Sequence, residues 1–267
     1  MSRQKTGESA RSVVQSVTRA LLLLEIIAQE NGAISVSKLA EKAKLKIATV
    51  HRLLNTMKDR GFVEQDPLTL HYRFGIKMIE TGSAAFAAND LRTMLRPYLR
   101  QLRQDVNETV NLAVLDDTEV VYIDQLESSN MIVVKMFAKL GSRGPAYCTG
   151  SGKVLLAELP GDELQKRFAT VRFVKYTPHT IDNVADLRKE LEKVRQNGYA
   201  LDYSERDEGV ICVAAPIKNH EGVTQAAISV SAPLQRMPVA LIMERVLPAL
   251  MDIAAAASKK VGYYGQE

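Results

Sequence analysis

The apolar residues of the first sixty positions fall into three helical stripes, each closed by a turn signal, and the period then drops from 3.6 to 2. This switch restricts the front of the chain to a small set of folds. In residues 12–30, Val13, Val17, Ala20, Leu21, Leu24, Ile27 and Ala28 recur at helical spacing, and Asn31-Gly32 ends the run. Ser35 is placed to cap a short helix, Val36–Ala43, with Leu39 and Ala40 on one face. After the break Lys44-Leu45-Lys46, residues 47–60 align Val50, Leu53, Leu54 and Met57, and Gly61 is a natural C-terminal stop. Residues 62–65 and 70–74 then alternate around the turn Asp66-Pro67-Leu68-Thr69, which predicts a β-hairpin. Three helices and a hairpin in about seventy residues describe a winged helix-turn-helix, whose third helix enters the major groove of DNA.

Further helical spacing follows. Residues 75–88 offer Ile76, Ile79 and Ala84 as expected buried positions, and Asn89-Asp90 interrupts the pattern. Residues 91–106 resume it with Met94, Leu95, Tyr98, Leu99 and Leu102, and Pro97 predicts a kink or a first turn there. Beyond this point the chain changes character. Extended runs at 109–115, 119–125, 131–135, 200–202, 210–217 and 224–231 mix with helical runs at 150–158, 182–196 and 239–261. Hairpin strands, then helices, then more strands predict an α+β domain on an antiparallel sheet. The expected organisation is a disordered tail at 1–10, a winged helix-turn-helix at 11–75, a linker helix at 76–90 and a second domain at 91–267.

Charge is unevenly divided. Residues 1–80 hold 13 Lys/Arg and 8 Asp/Glu, whereas residues 81–267 hold 22 and 23. A basic front on a near-neutral remainder fits a polyanionic partner, although a solvated basic surface has the same composition. On the polar face of the third helix stand Thr49, His51, Arg52 and Asn55, with Lys44 and Lys46 at its start, where the helix N-terminus also favours phosphate. In the hairpin, His71 and Arg73 alternate outward from Tyr72. No apolar run approaches the ~18–20 residues of a membrane-spanning helix, and the polar N-terminus lacks a secretory core. Two cysteines, Cys148 and Cys212, fit a reducing compartment. These features predict a soluble cytoplasmic protein with no membrane partner.

Catalytic motifs are wanting. Gly150-Ser151-Gly152-Lys153 resembles part of a phosphate loop, but Tyr147 stands where the first glycine is required and Val154 where Ser or Thr must follow the lysine. Gly150 and Gly152 instead suit a tight entry into a helix. The four histidines form no ligand-spaced cluster, and zinc would need four ligands. Neither a cofactor nor a metal is expected. An enzyme carrying a DNA-binding head is the alternative, and it lacks a catalytic constellation.

Several segments together resemble a known family. Residues 45–54, LKIATVHRLL, followed by Arg60-Gly61-Phe62-Val63 and Tyr72-Arg73-Phe74-Gly75, are similar to the recognition helix and wing of IclR-family bacterial transcription regulators. Gly141-Ser142-Arg143, Pro145, residues 150–156, Gly198-Tyr199, Asp202, Gly209, residues 212–217 and residues 226–231 resemble the family's effector domain, so the likeness runs from about Val13 to Val261. It implies a GAF-like second domain and a regulator, not an enzyme, whose operator affinity is set by a small-molecule effector such as a small organic or aromatic acid. It also implies a homo-oligomer, a dimer or a dimer of dimers, on palindromic double-stranded operator DNA. With Ala48 added by the resemblance to the residues read from the helix face and hairpin, the expected DNA-contacting set is Lys44, Lys46, Ala48, Thr49, His51, Arg52, Asn55, His71 and Arg73. Ala48 stands where many members have serine. The implied effector pocket takes Val133 and Met136 as apolar wall, with Gly144 from the preceding loop. Gly150 and Ser151 offer amides at a helix start, and Asp202, Cys212, Ser229 and Ser231 form the polar side. Tyr203-Ser204-Glu205 replaces the paired acids that the family often carries after the Asp202 position.

Overall fold

A computed structural model describes residues 14–30, 33–87, 90–130 and 138–265. The expected tail at 1–10 and the extended run at 131–135 lie outside the described residues. The chain divides into two compact units, Met1–Ala88 and Asn89–Glu267.

In the first unit, α1 (Gln15–Gln29), α2 (Val36–Ala43) and α3 (Ile47–Asp59) pack around one core, followed by β1 (Val63–Gln65), β2 (Tyr72–Phe74) and α4 (Ile76–Ala87). Leu23, Ile27, Leu39, Val50, Leu54 and Tyr72 are buried together. The Ser35 hydroxyl accepts from the Lys38 amide at 3.3 Å, capping α2. Lys44 closes α2 in the left-handed conformation, φ 53°, and redirects the chain into α3. The hairpin pairs Val63 with Phe74 and Gln65 with Tyr72. Its turn is held by the Asp66 carboxylate, which accepts from the amides of Leu68 and Thr69 at 3.0 and 2.8 Å. The base of the hairpin is very tight: a Cβ on Gly75 would lie 2.3 Å from the Gly61 carbonyl oxygen.

Two expectations about this unit need correction. Ile76, Ile79 and Ala84 are exposed, the two isoleucines 66% and 65% so. The helical stripe is real, but no described residue of this unit covers it. In α1, Val17 and Leu21 of the predicted stripe are also exposed, and the core instead takes Leu23 and Ile26 beside Ile27. An apolar residue on each of two faces blurs the phase that spacing alone can read.

The second unit is built on a six-stranded antiparallel sheet ordered β5-β4-β3-β8-β7-β6. Its strands are β3 (Thr109–Asp116), β4 (Glu119–Leu126), β5 (Arg143–Pro145), β6 (Ala200–Tyr203), β7 (Val210–Lys218) and β8 (Thr224–Pro233). The central strands alternate between two apolar layers. One layer joins Val213, Ile228 and Val230 to α5 (Asp90–Val106) and α10 (Leu247–Lys260). The other joins Ala113, Ala214 and Ala227 to α6 (Gly150–Ala157), α7 (Gly161–Phe168) and α8 (Val184–Asn197).

α5 runs on through Pro97 rather than starting there. Next to the proline, Arg96 holds the buried Asp124 with Nη1 at 2.7 and 2.8 Å from its two oxygens. The C-terminal helical run opens as α9 (Val239–Leu241), passes through a π turn at Ile242–Val246 and continues as α10. No helix among the described residues is long and apolar enough to cross a membrane.

Candidate functional site

The face of α3 turned away from the core carries the predicted DNA-reading side chains. Val50, Leu54 and Met57 are buried. At i, i+3, i+4 and i+7, Ala48, His51, Arg52 and Asn55 are exposed, and Thr49 is half-buried. Lys46 is the N-cap of α3 and Lys44 sits in the turn before it, both exposed. Among the described residues, Lys44, Lys46 and Arg52 have no carboxylate partner, so their charge is free for phosphate or base edges. In the hairpin, His71 and Arg73 project outward from the buried Tyr72, but Arg73 Nε donates to Glu64 at 2.6 Å across the strands. Its charge is already partly matched.

A second polar cluster lies within the second unit. One row of paired residues crosses the sheet from Asp202 to Cys212 to Ser231, and a neighbouring row pairs Ser229 with Asn111. All belong to the face that carries Ala214 and Ala227, opposite α6. Asn111 Nδ2 donates to both serine hydroxyls, at 3.4 Å to Ser229 and 3.2 Å to Ser231.

α6 comes down onto this row. Its N-cap Thr149 accepts from the Gly152 amide at 3.1 Å. A Cβ on Gly150 would stand 3.2 Å from Cys212 Sγ, and one on Gly152 only 2.2 Å from the Ala146 carbonyl oxygen. Gly150 therefore lets the amide end of the helix meet the strand residue Cys212, and Gly152 lets it fold tightly on the turn before it, the tight entry that the sequence suggested.

A small pocket opens where these elements meet. Gly150, Asp202, Cys212 and Ser231 of the predicted set line it, with Tyr122, Thr149, Arg206 and Asp207. Ser229 lies on the same strand face, held by Asn111. Ser151 is buried beside Gly150, and its hydroxyl has no hydrogen-bond partner among the described residues. Gly144 is not on the pocket wall: it pairs with Val120 in the edge strand β5. Val133 and Met136 lie outside the described residues. Tyr122, Asn111 and Arg206 escaped the sequence reading, because a single side chain brought in by sheet register or a loop leaves no local motif.

Behind the pocket is a buried charge set. Lys153, one turn into α6 and 1% exposed, places Nζ 2.5 Å from Glu205 Oε1 and 3.4 Å from Glu190 Oε1. Burial opposes its ammonium, but the Glu205 and Glu190 carboxylates outweigh burial and raise the Lys153 pKa. The Glu205 amide donates to Asp202 Oδ1 at 2.7 Å. Thr177 and Thr180 clasp the same loop, donating to the carbonyls of Ser204 and Glu205, each at 2.6 Å. Burial, then the charge of Glu205, push the Asp202 carboxyl up to about 7, against the pull of the loop amides and Lys153. Burial followed by Asp202 likewise pushes the Cys212 thiol up to about 11. Both cysteines are free and buried. A thiol so placed is neutral and unreactive at physiological pH.

A larger cavity of about 400 Å³ opens at the far end of α6, between Val154, Ala157, Val194, Pro216 and Met251. Its walls are mainly apolar with Glu158, Arg195, Lys218 and Lys259 among the lining residues, whereas the smaller pocket draws most of its lining from polar side chains and the start of α6. Among the described residues, no three His, Cys, Asp or Glu side chains gather to hold a metal ion.

The architecture is that of a DNA-binding helix-turn-helix joined to a sensor domain, and comparison with known proteins gives the family. Residues 16–67 match the IclR helix-turn-helix domain, and residues 83–259 match the bacterial transcriptional regulator IclR C-terminal domain. The transcriptional repressor IclR of Escherichia coli is 36% identical over 230 residues, covering 85% of this chain and 83% of the repressor. The crystal structure of Thermotoga maritima IclR superposes with a TM-score of 0.75 at 33% identity, covering 93% of this chain and 99% of that one. An IclR homologue from Microbacterium hydrocarbonoxydans, crystallised in complex with 4-hydroxybenzoate, gives a TM-score of 0.79 at 25% identity over 92% of this chain and 99% of its own. The chain belongs to the IclR family of bacterial transcriptional regulators. It is a DNA-binding regulator with an effector-binding C-terminal domain, and its relatives are named as regulators and repressors rather than enzymes.

Proposed function

We propose that this regulator reads a palindromic operator through α3 and responds to a small organic or aromatic acid held at the N-terminus of α6. Arg52, His51, Asn55 and Thr49 address base edges, Lys44 and Lys46 address phosphates, and His71 extends the contact to the backbone through the hairpin. Ala48 and Arg73 lie in the same surface, Ala48 for close approach and Arg73 as a charge shared with Glu64.

The observation that carries the effector reading is the polar row Asp202, Cys212 and Ser231, sunk in an otherwise apolar layer and facing the amide end of α6. Amide donors at a helix start suit a carboxylate, and Tyr122 and Val210 leave an apolar side for an organic body. Gly150 and Ser151 supply the donor end, and Ser229 supports the serine pair. Val133 and Met136 belong to the set carried over from the family, whereas Gly144, paired with Val120 in the edge strand, stands off the pocket wall. The protein works in the cytoplasm as a homo-oligomer, its symmetry matching the operator. Residues 76–90 link the domain of residues 11–75 to that of 91–267 and carry the effector's influence to the DNA. The coupling is set by the ligand's differential affinity for the two arrangements, typically ~1–3 kcal/mol.

A thermal-shift screen of benzoate, 4-hydroxybenzoate, acetate and related monoacids, repeated with duplexes selected from random sequence, tests this. A ligand at 100 times its Kd stabilises by ~2.7 kcal/mol. The expected result is a hit that Ser231→Ala weakens and that changes the affinity for DNA. A hit untouched by Ser231→Ala and Asp202→Asn would remove the pocket assignment.

A further inference from the structure

We infer that this pocket binds its acid together with a proton, taken up by Asp202, so that effector affinity and pH are read as one signal. The inference rests on the proposal that a carboxylate occupies the pocket.

The geometry behind it is an excess of buried acid. Asp202 is 6% exposed and Glu205 8%, and with Glu190 they surround a single ammonium, Lys153. Lys153 is already committed to Glu205 and Glu190, and Glu205 Oε2 is buried with no hydrogen-bond partner among the described residues. The groups facing Asp202 come from every neighbouring element. Cys212 is its pair on β7, Tyr122 comes from β4, and Cys148 precedes α6. Lys153 lies on α6 with Glu190 behind it on α8, and Glu205, Arg206 and Asp207 follow on the loop.

Arg206 adds one further cation: its guanidinium lies 3.6 Å from Asp207 and stacks 4.0 Å over the Tyr176 ring, and with Asp207 counted the carboxylates of this cluster still outnumber Lys153 and Arg206. A bound carboxylate would therefore add a further negative charge to a water-poor site. Like charges confined at short range cannot both stay ionised, so the weaker acid takes a proton. Cys212 and Tyr122 are raised out of the neutral range by burial and are uncharged already. Burial raises Glu205 as well, but Lys153 at 2.5 Å pulls against that, and Asp202, with no such ion pair and held up to about 7, is the group whose charge changes there.

The sign follows from linkage. The ligand prefers the neutral carboxyl, so binding needs no proton below the free-state pKa and takes up nearly one above it. Affinity falls as pH rises, up to tenfold per pH unit.

Titration calorimetry of the full chain with benzoate and 4-hydroxybenzoate, from pH 6 to 8.5 in phosphate and in Tris, reads this directly. The expected result is close to one proton taken up per chain at pH 8. Asp202→Asn should abolish the uptake and flatten the pH profile. In the wild-type free protein, the Asp202 carboxyl ¹³C resonance should titrate near neutral pH, a measurement that does not depend on the variant folding. Binding with no proton uptake and a flat profile would overturn this inference and leave the pocket standing. Uptake that persists in Asp202→Asn would overturn the assignment to Asp202. Failure of both acids to bind at any pH would remove the proton coupling and the effector reading together.

Discussion

Arg52 and Asp202 show how differently a charge behaves on a wet helix face and inside a layer of alanines. Arg52 projects from α3 with no carboxylate partner among the described residues. It is free either to fork onto guanine or to sit on a phosphate, and the two roles have different signatures. As a base reader, Arg52→Ala costs roughly 1–3 kcal/mol on the selected duplex and relaxes preference at one position. Lys46→Ala, by contrast, weakens all sequences alike and reduces the slope of log K against log salt by about one. Fluorescence anisotropy across a salt series separates them, and unchanged affinity and slope in Arg52→Ala would dismiss the recognition-helix assignment.

For Asp202 the measurable quantity is stability. Its carboxyl ionises near 3.8 when the chain is unfolded and near 7 in the fold. The neutral form is the one the fold favours, so its contribution is full below about pH 4 and is lost as pH rises through 7. The whole difference corresponds to roughly 4 kcal/mol. Asp202→Asn keeps an acceptor for the Glu205 amide and carries no such penalty. Its thermal midpoint relative to wild type should therefore climb between pH 5 and 7.5 and then level off. A constant difference across that range would show that Asp202 does not titrate there.

At the scale of elements, what could be read from the sequence depended on whether a local signal existed. α2 was readable residue for residue because Ser35 caps it and Lys44 ends it. The hairpin was readable because Tyr72 is buried between two polar neighbours and Asp66 organises the turn. β5 and α7 were not. Arg143–Pro145 has no alternation, and Gly161–Phe168 buries only Leu164 and Phe168. The polar row of the pocket was half readable: Ser229 and Ser231 share a face by period, but Asn111 reaches them only through register across β3 and β8.

The entry to α6 was readable as glycine spacing, and the structure adds the reason. The Ala146 carbonyl occupies the place where a side chain on Gly152 would go. Gly152→Ala should force the start of α6 away from the tight turn at Ala146–Cys148 that leads into it. We expect about 1–3 kcal/mol of destabilisation, as for overpacked cores, together with loss of effector binding while the first unit keeps its DNA affinity. Urea unfolding and the ligand-induced thermal shift measure both, and an undisturbed pocket in that variant would contradict the tight-entry account.

For the molecule as a whole, the exposed apolar residues of the first unit are the unfinished part. Val14 at the N-cap of α1, Val17 and Leu21 on α1, and Ile76 and Ile79 on α4 are each more than half exposed. Such residues scattered singly need no explanation, but two helices presenting them in one small unit are a demand for burial. Under the proposed reading of palindromic DNA, a second copy of the chain would meet that demand, since an isologous contact covers the same stripe on both partners. Each isoleucine moved from water into such a contact contributes roughly 1.5–3 kcal/mol. A charge introduced there is costly only if the contact forms. Ile79→Asp should therefore leave the thermal midpoint of the dilute chain nearly unchanged, because position 79 faces solvent in the monomer. It should shift sedimentation towards smaller species and lower operator affinity by far more than it lowers the affinity for a half-site duplex. Equal losses on full and half sites, or an unaltered sedimentation profile, would mean that this stripe is not where the copies meet.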